Sequence, residues 1–212
     1  MKTIISISFV LLPYFALAQF ERGQIYLGGT ISGSLATTNS PNSTTTYFAK
    51  TVNNQLSVSP SIGFFLNPKF AVGGGVGYST TYNAYYNNNP NTNLISSTHD
   101  HNFFIGPFAR YYIPVTGSFF IVLQGQLSFN RGVSTIFNPV TGQVQETPMY
   151  RLGATLSPFF TFFPSAKWAV EAGIGSIGYT YTRTLPDVSS TNTFALSSGF
   201  FSFGLGYYFG RK

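Results

Sequence analysis

Residues 119–130 read Phe-Phe-Ile-Val-Leu-Gln-Gly-Gln-Leu-Ser-Phe-Asn. Phe119, Ile121, Leu123, Leu127 and Phe129 share one parity, while Gln124, Gln126, Ser128 and Asn130 share the other. Side chains alternate between faces along an extended chain, so this stretch predicts a β-strand with one apolar and one polar face. Its polar face carries amides and a hydroxyl rather than charges. That composition suits a narrow interior better than a water-washed surface.

The same period of two recurs on both sides, around 24–35, 55–66, 69–79, 102–113, 150–162, 168–175 and 202–209. Together these make eight alternating segments, each roughly the length of a tilted membrane strand. In the seventh, the alternation slips near Ser176 and Ile177, which predicts a bulge. The polar parity is rich in Gly, Ser, Thr and Gln throughout. A soluble barrel or sandwich would need Lys and Glu there.

Composition leads to the same place. Only 8% of the 212 residues are charged and 18% are aromatic, which is a poor recipe for a soluble surface. No apolar run in the body of the chain reaches the ~18 residues of a membrane helix. A chain with this balance satisfies its backbone in lipid by closing its strands into a ring. The fold class expected is all-β: an eight-stranded antiparallel up-and-down transmembrane β-barrel. With no cysteine, disulfides, thiolate metal sites and a cysteine nucleophile are excluded. The net charge of +6 is spread along the chain, so no nucleic-acid partner is expected.

The connections alternate as well. Positions 67–68, 114–118 and 164–167 read as tight turns, and 38–54, 83–101, 132–148 and 184–193 as long polar loops. Short turns at one end and long loops at the other are the outer-membrane pattern, with both termini on the periplasmic side. The first residues precede the fold. Met1-Lys2, the apolar stretch from Ile4 to Leu12 and Ala16-Leu17-Ala18 read as a cleaved secretory signal peptide over 1–18. The barrel domain then occupies 19–212.

Pro60, Pro107 and Pro158 each sit mid-segment on the apolar parity, six or seven residues before a tight turn. They mark a repeated hairpin unit. A proline lacks the backbone donor a closed ladder needs, so local distortion is expected at each.

With its signal peptide, its proline-containing hairpin repeat and its aromatic end, the chain resembles the small outer-membrane β-barrel family, the OmpA/OmpX-like porin-type domain of Gram-negative bacteria. Ser202, Gly204, Tyr207 and Phe209 resemble the signal read by the barrel assembly machinery, although Gly210-Arg211-Lys212 follow where the family often ends. The resemblance implies location in the cell outer membrane and insertion from the periplasm with chaperones and the assembly machinery. It implies contact with outer-membrane lipid, and a structural, membrane-integrity or adhesion-like surface role without enzymatic activity. A monomer without a peptidoglycan-binding domain is expected. The alternative function is a small lipid-modifying hydrolase.

The candidate site residues are few. Phe65, Phe104, Phe108, Tyr112, Phe120, Phe159 and Tyr208 share the inward parity, and facing glycines leave room for their rings. Eight strands leave space only for side chains, so a packed lumen without a stable pore is expected. Arg110, Arg151 and Glu171 are the inward charges. Arg110 and Glu171 lie near tight turns and are expected to meet, because a buried charge needs a partner. A gate or proton path is the functional reading and a structural ion pair the plainer one. His99 and His101 flank Asp100 at the outer mouth and would point the same way on a strand, making a weak metal pair or a hydrolase base. A polar loop is the preferred reading there, and no cofactor is expected.

Overall fold

The computed structural model describes residues 20–41, 48–89, 92–185 and 189–210. The expected signal peptide lies outside them. Eight strands run in chain order: β1 (Ile25–Pro41), β2 (Phe48–Asn67), β3 (Phe70–Asn89), β4 (Thr92–Pro114), β5 (Phe119–Asn138), β6 (Gln143–Phe162), β7 (Trp168–Thr184) and β8 (Ser189–Tyr208). Each pairs antiparallel with the next, and β1 pairs with β8 to close the ring. Closure pairs these two edges over Tyr26–Ile31 and Phe203–Tyr208, next to the turn end.

The predicted faces are the observed ones. Ile31, Phe103, Leu127 and Leu205, all on the apolar parity, are 57–60% exposed on the outer wall. Their neighbours Phe65, Tyr112 and Tyr208, on the other parity, are buried inside. A wall of exposed Leu, Ile and Phe of this extent is compatible with hydrocarbon and not with water.

One end of the barrel carries the tight turns and both ends of the described chain. Their chemistry is local. The Asn67 carboxamide oxygen accepts from the Lys69 backbone N–H at 2.9 Å, and Ser165 accepts from that of Trp168 at 3.2 Å. Such side chains satisfy turn donors that no strand can reach.

At the other end the expectation of long loops is corrected. β1 runs to Pro41 and β2 starts at Phe48; β3 and β4 stop at Asn89 and Thr92; β5 and β6 are joined by a turn between Asn138 and Gln143. Most of 38–54, 83–101, 132–148 and 184–193 is therefore paired strand. Polarity ends the apolar band, but it does not end a backbone ladder. Thr and Tyr favour strands, and Asn53 donates to Asn83 across the ladder at 2.6 Å.

The prolines distort the ladder in a regular way. Each stays in register with the preceding strand: Gly29 with Pro60, Gly74 with Pro107, Leu123 with Pro158. Pairing with the following strand skips Ser59–Pro60, Gly106–Pro107 and Ser157–Pro158. Only at Pro158 does the register shift. Leu156 pairs with Ile177 but Phe159 with Gly173, so three residues of β7 face two of β6. Gly175 sits in this bulge at φ 146°, a conformation that disfavours any side chain. The extra residue explains why the parity of β7 slips at Ser176 and Ile177.

Candidate functional site: a plugged lumen

The turn end of the lumen is filled. Tyr26, Phe65, Phe108, Tyr112, Phe120 and Tyr208 are at most 5% exposed and form one cluster with Phe20, Phe159 and Phe163. Phe20 is its hub. This ring lies 4.3 Å from Phe65, 4.8 Å from Tyr112 and 5.4 Å from Phe120, centroid to centroid. Such aromatic contacts each add about 0.5–1.5 kcal/mol beyond burial.

Glycines make the room. A Cβ on Gly63 would lie 2.4 Å from the Tyr26 ring, and one on Gly73 2.5 Å from Phe108. Phe104, the remaining ring expected inside, lies higher and is half-buried; a Cβ on Gly77 would collide with it. Phe20 and Phe163 escape a parity argument because both lie outside strands. The placement of Phe20 beside the expected cleavage point was the one available signal.

A charged layer is set into these rings, between Tyr112 and Phe108 along β4. Arg110 Nη1 donates to Glu171 Oε1 at 2.7 Å, with both side chains 5% exposed. Arg110 Nε donates to Gln124 Oε1 at 2.6 Å. The guanidinium carbon lies 5.1 Å from the Tyr26 ring and 5.6 Å from the Phe159 ring. The arginine is thus paired, hydrogen-bonded and stacked, as a dry charge must be.

Arg151 does not join this pair. It reaches Asn102 Oδ1 at 3.1 Å and Met149 Sδ at 2.8 Å. Register explains the separation. Glu171 is opposite Thr161, ten residues along β6 from Arg151.

Beyond the charged layer the lumen widens into a cup of about 610 Å³, lined by Ser32, Ser34, Gln55, Ser157, Ser176 and Ser197 among others. Phe159 contributes to its floor.

His99 and His101 are placed on β4 rather than on a loop, and they face outward. Their rings lie 4.1 Å apart. His101 Nδ1 is 2.5 Å from the Tyr78 hydroxyl and His99 Nε2 is 3.0 Å from the Thr80 hydroxyl. Among the described residues no group of three or more His, Cys, Asp or Glu side chains converges on a metal position.

Ser202 and Gly204 turn inward, whereas Tyr207 and Phe209 turn outward. The Tyr207 ring lies 5.0 Å from Trp168 and 4.8 Å from Phe209, building an aromatic patch at the turn end.

This geometry defines a class: a closed, eight-stranded up-and-down barrel with an apolar wall and an aromatic cluster filling one end of its lumen. No protein-family model matches the chain, and no curated protein does. Solved structures of similar shape include Ail, the attachment invasion locus protein of Yersinia pestis. It is 14% identical at TM-score 0.47, with 89% of this chain and 99% of that one covered. OprG of Pseudomonas aeruginosa is 12% identical at TM-score 0.45, covering 91% and 99%. Outer membrane protein W of E. coli is 13% identical at TM-score 0.43, covering 89% and 99%. The fold assignment rests on the strand pairing itself.

Proposed function

We propose that the chain spans the outer membrane of a Gram-negative bacterium as a sealed barrel with a structural and surface-interaction role. The observation that carries this reading is the pairing of an apolar outer wall with a lumen closed by the Phe20 cluster and the Arg110–Glu171 pair. A sealed barrel holds its place in a bilayer and displays its hairpins without opening a path through it. The turn end then faces the periplasm and the extended hairpins face outward. Phe20, two residues past the expected cleavage point, would hold the processed N-terminus at the periplasmic mouth. Ser202, Gly204, Tyr207 and Phe209 would serve the assembly machinery.

Two measurements test this. An epitope inserted at Thr141–Gly142, in the exposed β5–β6 turn, is expected to be reached by antibody on intact cells. The purified protein is expected to migrate differently with and without boiling, because a closed ladder survives detergent. An inaccessible epitope on a correctly folded protein would reverse the orientation. Identical mobility would remove the barrel reading.

A further inference from the structure

On the outer wall, Arg131, Tyr150 and Arg183 stand side by side on β5, β6 and β7: Arg131 is in register with Tyr150, and Tyr150 with Arg183. Both arginines are exposed. The Arg131 guanidinium carbon lies 5.9 Å from the Tyr150 ring centroid, so the ring braces it. Adjacent strands are about 4.8 Å apart, which sets the two arginine backbones about 10 Å apart across the tyrosine. Two long side chains converging from that spacing can grip one phosphate between their forked donors.

Their depth is distinctive. Arg131 lies twelve residues beyond Phe119 along β5, about 40 Å of strand or about 30 Å of depth at the usual tilt. That is the far edge of a hydrocarbon core. The outward side chains next to this row, toward the turn end, are Phe129, Leu152 and Tyr181. The carboxylates lie elsewhere. Of five acidic residues, Glu146 shares this wall but lies four residues further out along β6. Glu171 and Asp100 are on the inward parity, Glu21 is at the opposite end, and Asp187 lies outside the described residues.

A second feature adjoins the row. Small outward residues at Gly74, Ala109, Gly125 and Ala154 open an apolar groove of about 1100 Å³ that runs across the outside of the wall from Ile25 on β1 to Ala154 on β6. A Cβ on Gly125 would meet nothing within 4 Å. The groove's upper edge, Leu127 paired with Ala154, lies four residues below Arg131 and Tyr150, about 13 Å along the strands.

We propose that Arg131, Tyr150 and Arg183 bind the phosphate of a phosphorylated lipid headgroup in the outer leaflet, with an acyl chain of that lipid lying in the groove. The positive pair supplies charge complementarity and the groove supplies an apolar bed at the spacing of one amphiphile. The proposal rests on the membrane reading above.

The test uses the full chain refolded into phosphatidylcholine nanodiscs containing either lipid A or its dephosphorylated form, with retained lipid counted by native mass spectrometry. The expected result is at least tenfold preference for the phosphorylated lipid, lost in the Arg131→Gln/Arg183→Gln variant. Gly125→Leu, which fills the groove, is expected to reduce retention at least threefold. Millimolar inorganic phosphate is expected not to displace the lipid; full displacement would overturn the lipid as the occupant. Equal retention of the two lipids by a protein that still shows heat-dependent gel mobility would overturn this site alone. Loss of that mobility shift in the unmodified protein would overturn the barrel reading beneath it.

Discussion

Arg110 and Glu171 are 61 residues apart in the chain, on β4 and β7, and meet inside the lumen with Nη1 2.7 Å from Oε1. Neither strand touches the other, so the contact spans the ring. Removing one partner leaves a buried charge without its counter-ion. Arg110→Met or Glu171→Leu alone is expected to destabilise the barrel by about 3–5 kcal/mol, and the double variant by clearly less than the sum. Urea unfolding of the four proteins in the same lipid reads the coupling. A coupling of zero would show that the two charges do not depend on each other. Normal insertion of a double variant with large coupling would favour a structural pair over a gate.

Two glycines on neighbouring strands should behave oppositely. Gly106 points inward, and a Cβ there would lie 1.8 Å from the Leu127 carbonyl oxygen. Gly125 points out into open space. Gly106→Ala is expected to cost about 1–3 kcal/mol or more, because backbone must move, and Gly125→Ala close to nothing. Equal unfolding midpoints would contradict the inward and outward assignment of these strands.

Leu123 lies outward four residues beyond Phe119 on β5, opposite Pro158, and Ser157 lines the cup. Leu123→Arg, within the apolar wall on the turn side of the bilayer midplane, is expected to cost about 1–3 kcal/mol. Ser157→Ala is expected to be mild. Gln124, whose inward parity alone suggests tolerance to alanine, is not neutral, since it accepts from Arg110 Nε at 2.6 Å. Gln124→Ala should fall between the other two. Refolding yield into vesicles ranks the three.

The unmodified protein should give no steady conductance steps in planar bilayers, because the rings around Phe20 occupy the lumen. Phe20→Ala removes the hub of that cluster and is expected to cost about 3–5 kcal/mol. Frequent brief openings in this variant, absent from the parent, are the expected recording. Large stable steps in the parent would mean that the lumen is not sealed.

Strand number, the two faces of each strand, the tight turns and the position of the β7 bulge were legible in the residues alone. Each depends on a period of two and on turn chemistry, and both act over a few neighbouring residues. Phe65, Phe108, Tyr112 and Tyr208 could be placed inside for that reason. The ends of the strands could not. In this chain polarity marks where the apolar band stops, while the β3–β4 ladder continues as far as Asn89 and Thr92. The partners inside the lumen belong to the tertiary structure as well. Parity sends Arg110, Arg151 and Glu171 inward without saying how high each stands, since height depends on the register accumulated from strand to strand around the ring. That register sets Glu171 opposite Thr161 and far from Arg151, and it brings Arg110 to Glu171. Phe20 precedes the first strand and carries no parity, so only the closed barrel, with a cavity of the right width at its mouth, decides where its ring goes.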